Sequence, residues 1–422
     1  MLRRFALNLA LLTLSVILAL ACVEIGLRIA GVAYPSWVDV ARFQAPDPYM
    51  GIAARAGSQF EWRLENDNFV RISNQGLHDF EHSRQKPANT FRIAVLGDSY
   101  AEALQVPVEK NFSSVMQQQL QACPGFSGKR VEVINFGMHG FGTAQELQML
   151  RHYAWDYSPD LVLLAFFTGN DVQNNSRDLQ QDPYRPYFVH QGGNLVLDDS
   201  FLRAPGFQTQ FDARHRFASW AVGNSRVLQV IFAAKHYMTA RKNDDGTRPF
   251  DIGNDEGVYH PPTDGTWREA WSLTEDLIAT MNNEVKARGS QFLLVTLSTG
   301  LQVDPDPSGR TQLEKRFGVN DLFYPDDRLH QFATTEQIPV LTLAPIFLKY
   351  AEEHRVELHG FHGERNQGHW NELGHQLGGS LMARAVCEMQ NSLPPKTAVA
   401  ARGEFIPGRA SATGGQSQSV MP

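Results

Sequence analysis

The chain has 422 residues, 42% hydrophobic and 20% charged, with a formal net charge of −7. That is ample for one large globular domain with additions, and it excludes a chain too polar to build a core. No basic cluster interleaved with aromatics occurs, so nothing in the charge pattern supports nucleic-acid binding.

The N-terminus differs from the rest. Met1-Leu2-Arg3-Arg4 is followed by no charged residue until Glu24, and Phe5 to Val23 is almost entirely apolar. That is close to the ~20 residues a helix needs to span a bilayer. Arg3 and Arg4 precede the run, so the positive-inside rule places the remaining chain outside the cytoplasm. Residues 1–23 are therefore expected to be a transmembrane anchor. A cleaved signal segment, or a lipoprotein signal at Cys22 after Ala19-Leu20-Ala21, is the alternative.

Residues 24–90 are expected to form a linker and a small β-containing region. Gly31, Pro35 and Trp37 mark the linker. The alternating stretches 60–64 and 69–72 predict a small hairpin, with Asn74-Gln75-Gly76 nearby. A strand–helix rhythm starts at Phe91. Strands are predicted at 92–97, 131–136 and 160–167, with helices at 109–122 and 142–154; in the latter, Ala144, Leu147, Leu150 and Ala154 recur at helical spacing. Residues 172–265 interrupt the rhythm. They are rich in Asn, Asp, Pro, Gly and aromatics, with one helical stretch near 215–241, and read as a lid, a substrate platform or a surface excursion. The rhythm resumes with helix 267–287, strand 291–297, helices 310–317 and 326–336, strand 338–342, helix 345–354 and a final helix at 371–389. Alternation of this kind predicts an α/β domain over 91–390: a three-layer α/β/α sandwich around a mostly parallel sheet. The Pro-, Ala-, Ser- and Gly-rich residues 391–422 are expected to be a disordered tail.

Cysteines occur only at 22, 123 and 387, and no Cys/His cluster has metal spacing, so neither metal nor cofactor is expected. In an oxidising compartment Cys123 and Cys387 could pair; two buried thiols are the other reading.

The residues that carry chemistry gather after the strands. The apolar run Ile93–Leu96 stops at Gly97-Asp98-Ser99. The second strand ends at Gly137, and the third runs into Thr168-Gly169-Asn170-Asp171. Near the end come Gly368-His369-Trp370-Asn371 and Gly374-His375. In parallel sheets functional groups collect at the carboxyl ends of strands, where Ser99, Gly137 and Asn170 all fall. A serine hydroxyl is inert near neutral pH unless a base takes its proton, and imidazole titrates in the right range. Ser99 is the candidate nucleophile and His369 the candidate base. His375 falls inside the last helix and reads as structural; His359 and His362 lack the surrounding Gly-His-Trp-Asn pattern. Asp98 and Asp171 read as loop-holding acceptors of backbone hydrogen bonds.

Four segments, GDSYAEALQV, NFGMHGFGTAQEL, PDLVLLAFFTGNDV and GHWNELGH, resemble the four blocks of the SGNH branch of the GDSL hydrolases. The resemblance extends over roughly residues 60–390 and is to bacterial members. It implies a flavodoxin-like SGNH fold, an acyl-enzyme on Ser99, and an oxyanion hole built from the Ser99 N–H, the Gly137 N–H and the Asn170 amide. One position departs from the pattern. The family places an aspartate two or three residues before the catalytic histidine, where this chain has Gln367 and Asn366. The candidates for orienting His369 are therefore Asn366, Gln367 and Glu364; without them the site is a Ser–His dyad. The function implied is a serine esterase in the bacterial inner membrane, facing the periplasm or the cell exterior, that cleaves short acyl esters such as O-acetyl groups on a cell-envelope or secreted glycan. A polysaccharide O-acetyltransferase using the same residues, or a catalytically silent glycan-binding module, are the alternatives. A flavodoxin-like nucleotide binder is disfavoured, because the first strand–helix turn lacks a Gly-rich phosphate loop.

Overall fold

A computed structural model describes residues 2–31, 43–240, 256–363 and 367–392. Most of the expected tail, part of the linker and residues 241–255 of the insertion lie outside the described residues.

The uncharged N-terminal run forms helix α1, Leu2–Ile29. It exceeds the apolar stretch by one turn and more because Glu24 and Arg28 pair at i,i+4, 2.7 Å apart. Its two polar side chains in mid-helix, Thr13 and Ser15, donate to the carbonyls four residues back at 2.8 Å. The helix is long and apolar enough to cross a membrane, with a mean hydropathy of 2.5.

Two antiparallel hairpins follow. Strands β1 (Gln44–Asp47) and β2 (Gly51–Ala54) form the first, although Gln44–Asp47 carries no alternating apolar pattern. Strands β3 (Gln59–Trp62) and β4 (Asn68–Arg71) form the second, where alternation had predicted one. Phe60, Trp62 and Val70 turn inward and join the main core, which anchors this hairpin to the sheet domain.

The central sheet is built from β5 (Thr90–Gly97), β6 (Arg130–Asn135), β7 (Leu161–Phe167), β10 (Gln291–Leu297) and β11 (Val340–Thr342), all parallel; β8 (Tyr187–Gln191) and β9 (Asn194–Asp198) pair separately as a hairpin in the insertion. The order β11-β10-β7-β5-β6 is the doubly wound, flavodoxin-like order. Both faces are covered, which is why the strands read as continuous apolar runs rather than alternating ones. Ala94 and Leu96 face one core with Leu147, Leu150, Trp271, Ile278 and Leu329. Ile93 and Val95 face the other with Phe112, Met116, Phe347, Met382 and Val386.

The helices supplying those side chains form the outer layers. After β5 come α2 (Ser99–Glu102) and α3 (Phe112–Leu120), then α4 (Thr143–His152) and α5 (Asp171–Asn175). The insertion carries α6 (Ala213–Asn224) and α7 (Arg226–Ala240), two helices where one stretch was expected. Then follow α8 (Gly265–Ala287), α9 (Pro307–Phe317), α10 (Tyr324–Thr335), α11 (Ala344–His354) and α12 (Glu372–Ser392). A disulfide joins Cys123 to Cys387 across 264 residues of sequence, tying the end of the α3 segment to α12. The α/β/α sandwich is as expected.

Candidate active site

Ser99 opens the short helix α2 immediately beyond the carboxyl end of β5. Asp98 caps it: its Oδ1 accepts the Tyr100 N–H at 2.9 Å, and its Oδ2 lies 3.5 Å from Ser99 Oγ. Burial pushes the Asp98 carboxyl up to about 6, against the hydrogen bond from Tyr100 and the charge of His369. The Ser99 N–H is at the first helical position, where intrahelical acceptors are lacking.

His369 comes to this serine from 270 residues away. Ser99 Oγ donates to its Nε2 at 2.7 Å. The loop carrying it is held by Tyr100, whose hydroxyl donates to the Gly368 carbonyl at 2.9 Å and whose ring lies 4.7 Å from the imidazole. The His359 Nδ1–H donates to the same carbonyl at 2.9 Å. His359 is fully buried and held down to about 4, chiefly by burial; His375, packed near Phe112 and Trp370, is held down to about 3 for the same reason. Both are neutral structural histidines, and His362 is exposed.

The third member comes from a region outside the four motif blocks. Glu65, in the turn of the β3–β4 hairpin, accepts the Nδ1–H of His369 on Oε1 at 2.6 Å and the backbone N–H of His369 on Oε2 at 3.0 Å. The hairpin turn is fastened to the chain beyond α2: Asn66 Nδ2 donates to the Gln105 carbonyl and Asn68 Nδ2 to the Leu104 carbonyl, each at 2.9 Å. Gly368 makes the approach feasible. Its φ is +78°, and a Cβ there would lie 2.7 Å from Glu65 Oε2. Burial opposes charge on both partners. The Glu65 carboxylate nevertheless holds the imidazolium above its ordinary range, assisted by Asp98 and Glu102, and the imidazolium holds Glu65 below the usual carboxylate range. The carboxylate that holds His369 among the described residues is thus Glu65. Gln367 is exposed and makes no hydrogen bond among the described residues, while Glu364 and Asn366 lie outside them. The carboxylate is 304 residues from the histidine it orients, so no local spacing could reveal it. In the sequence Glu65 looks like any acidic turn residue, no different from Asp67.

The two remaining motif residues flank the serine differently. Gly137 packs against α2: a Cβ there would lie 2.5 Å from both Ala101 Cβ and the Glu102 nitrogen, so only glycine permits this approach. Its N–H donates to Asn135 Oδ1 at 3.0 Å, and Asn135 Nδ2 in turn donates to the Ala101 carbonyl at 2.6 Å. Gly137 could serve an oxyanion only by sharing or leaving that bond. Asn170 caps α5 and is half-buried, and its side-chain amide makes no hydrogen bond among the described residues; Oδ1 is buried and unpartnered. Behind it Asp171 Oδ2 accepts the Phe167 N–H at 2.7 Å, the loop-holding role expected of it. Burial, with Glu146 and Asp98 nearby, keeps the Asp171 carboxyl well above the usual range.

An open cavity of about 540 Å³ lies beside the histidine loop, lined by Asn66, Glu357, Phe361, Asn371 and Glu372 among others. Asn66 adjoins Glu65 and Asn371 follows His369 by two residues. Among the described residues no cluster of three or more His, Cys, Asp or Glu side chains is arranged to hold a metal ion.

No family model matches the chain. Two curated relatives align over 112 residues: an uncharacterised isomerase, YddE, from Escherichia coli O157:H7 at 30% identity and its counterpart from Escherichia coli K12 at 29%. The alignment covers 24% of this chain, and the chain spans 37% of the length of those relatives. Among solved structures, the chain is similar to an acetyl xylan esterase, AlAXEase, with 13% identity, 70% of this chain and all of that one covered, and a TM-score of 0.38. A lipase/acylhydrolase from Enterococcus faecalis has 16% identity over 73% of this chain and all of its own, with a TM-score of 0.36. An acetylxylan esterase from Geobacillus stearothermophilus has 11% identity over 71% of this chain and 94% of its own, with a TM-score of 0.34. The doubly wound strand order and the placement of Ser99, Asn170 and His369 around the carboxyl edge of the sheet agree with the four sequence blocks.

Proposed function

We propose that the protein is a membrane-anchored serine esterase of SGNH type that works outside the cytoplasm. The observation that carries this reading is the continuous relay Ser99 Oγ, His369 Nε2, His369 Nδ1, Glu65 Oε1, with links of 2.7 and 2.6 Å. Ser99 Oγ attacks an ester carbonyl while His369 takes its proton, and Glu65 stabilises the imidazolium. The carbonyl oxygen becomes an oxyanion, received by the Ser99 N–H and the Asn170 amide, with Gly137 N–H as a third donor if Asn135 yields it. His369 then protonates the leaving alcohol, which departs and leaves an acyl-Ser99. Water, deprotonated by the same histidine, attacks the acyl carbon and releases the acid and the free serine. No metal or cofactor takes part in these steps.

For the substrate we infer a short acyl ester, such as an O-acetyl group, on an envelope or secreted glycan. The open cavity beside the histidine loop combines Asn66, Glu357, Asn371 and Glu372 with Val356, Phe361 and Leu373, a mixed lining that suits the polar edges and apolar face of a sugar ring. Placement outside the cytoplasm rests on Arg3 and Arg4 before α1 and on the Cys123–Cys387 disulfide, which persists in oxidising compartments. A relay with an acid in place disfavours the silent glycan-binding module. Transfer of the acyl group to a sugar hydroxyl would use the same atoms.

The test is p-nitrophenyl acetate turnover by the full-length protein in detergent micelles, beside its Ser99→Ala and His369→Ala forms. Steady hydrolysis lost in both variants supports the esterase. A burst of one product per enzyme that then stalls points to a transferase lacking its acceptor. Equal release from all three proteins would overturn the assignment of Ser99.

A further inference from the structure

The end of α1 does not leave the membrane as a free stalk; it is joined to the insertion. Glu24 accepts the backbone N–H groups of Arg226 and Val227, each at 3.0 Å, and the Ser225 hydroxyl at 3.1 Å. It thereby caps the N-terminus of α7. One helical turn on, Arg28 Nη2 donates to the Asn224 carbonyl at 2.8 Å, where α6 ends. A carboxylate at a helix start and a guanidinium at a helix end each complement the helix dipole. The corner between α6 and α7 is thus held from both sides by the anchor helix.

That junction has a definite depth if α1 spans a bilayer. Phe5 to Val23 extends about 28 Å as a helix at 1.5 Å per residue, close to a hydrocarbon core of about 30 Å. Glu24 is the first charge after it, so the corner lies at the outer boundary of the core. The side chains there suit that level. Among the described residues outside α1, half of the exposed large apolar side chains fall within 211–232. Phe217 is 66% exposed and Trp220 62%, their rings 5.7 Å apart, and Ile231 is 55% exposed on α7. Over 211–240 the chain has Arg214, Arg216, Arg226 and Lys235 against the single acid Asp212, within a protein of net charge −7. Exposed Trp favours the headgroup level, and basic residues near it are attracted to anionic headgroups.

We propose that α6 and α7 lie in the interfacial layer of the bilayer spanned by α1, with Phe217, Trp220 and Ile231 immersed and the basic residues among anionic headgroups. The occupant of this apolar face is lipid, because α7 packs against the anchor helix and the basic residues of this region oppose the charge of an anionic lipid surface. The inference rests on the membrane-anchored reading above. It makes the insertion a second point of membrane attachment, which restricts rotation of the sheet domain about α1.

The test uses the full chain with Cys22→Ala and the disulfide intact, in vesicles of phosphatidylethanolamine and phosphatidylglycerol. A nitroxide is placed singly through Phe217→Cys or Ile231→Cys, with Leu12→Cys and Phe69→Cys as references for lipid and water. Collision with oxygen and with a nickel chelate is read by electron paramagnetic resonance. The expected result is a shift of the oxygen-to-nickel ratio at 217 and 231 toward that at 12 and away from that at 69. Glu24→Gln should reduce the ratio at 231 and leave 12 unchanged. If 217 and 231 match 69 while 12 reads as lipid, the interfacial seat is wrong and the anchor stands. If 12 also reads as water, both are wrong. Spin–spin broadening at 217 that persists in detergent would overturn the proposal in favour of a second copy of the chain.

Discussion

Among the histidines that carboxylates hold, His82 and His369 are set up for opposite ends. His82 is buried beside the β5–β6 pair with an acid on each side: Nδ1 is 2.9 Å from Glu132 Oε1, and Nε2 is 3.2 Å from Asp79 Oδ2. Burial opposes its charge, but the two acids outweigh burial and push it up to about 9. Glu132 also takes a 2.8 Å hydrogen bond from the Nε–H of Arg92, which is fully buried. His369 has its acid on one side only. Its other nitrogen meets the hydroxyl of Ser99, which can give up a proton. A histidine enclosed by two carboxylates stays charged and braces the fold. One with a single carboxylate and a hydroxyl can stand neutral and act as a base.

The sharpest way to break the contrast is at Glu65. Glu65→Gln keeps the shape and removes the charge, and we expect kcat/KM for p-nitrophenyl acetate to fall by about 10²- to 10⁴-fold. His369 must be neutral to act, so activity rises with pH through its raised pKa, above 6.5 in the wild type. In Glu65→Gln that rise should move to lower pH, because burial is then opposed by less negative charge. An unchanged pH profile would show that Glu65 is only structural. Next in size, Asn170→Ala should lower kcat by about 10²- to 10³-fold, or ~3–4 kcal/mol of transition-state stabilisation, with KM little changed. A change in KM alone would remove Asn170 from the oxyanion site.

The remaining two predictions concern stability. Replacing Cys123 and Cys387 with alanine should cost about 2–4 kcal/mol in denaturant unfolding while esterase activity in mild conditions persists. Reductant should lower the wild-type midpoint and leave the variant unmoved. The smallest effect is expected at His82. Its folded pKa is raised, so its contribution is complete below the unfolded value near 6.5 and is lost as pH rises through about 9. The stability gap between wild type and His82→Gln should therefore narrow from pH 6.5 to 9. A gap that stays constant over that range would mean His82 is not held charged.

What could be read in advance followed local rules. The strand–helix rhythm, the two-sided burial of β5, β6, β7 and β10, and the ends at which Ser99 and Asn170 appear follow from apolar runs closed by Gly, Asn and Asp. The β3–β4 hairpin was legible by alternation. The β1–β2 hairpin was not, since Gln44-Ala45-Pro46-Asp47 has no alternating apolar pattern. A single predicted helix near 215–241 became two because the Asn224-Ser225-Arg226 corner is held by Glu24 and Arg28, contacts about 200 residues away in sequence.

The sequence by itself determined the fold class, the candidates for nucleophile and base, and an apolar helix long enough for a membrane, because each depends on neighbours within a few turns or on a motif. Only the tertiary structure decided which acid holds His369, how Gly137 is used, and that Cys123 meets Cys387. Those depend on pairs 304, 36 and 264 residues apart. Their meeting is arranged by the burial of Phe60, Trp62 and Val70 and by the packing of α3 on α12, and no local spacing records it.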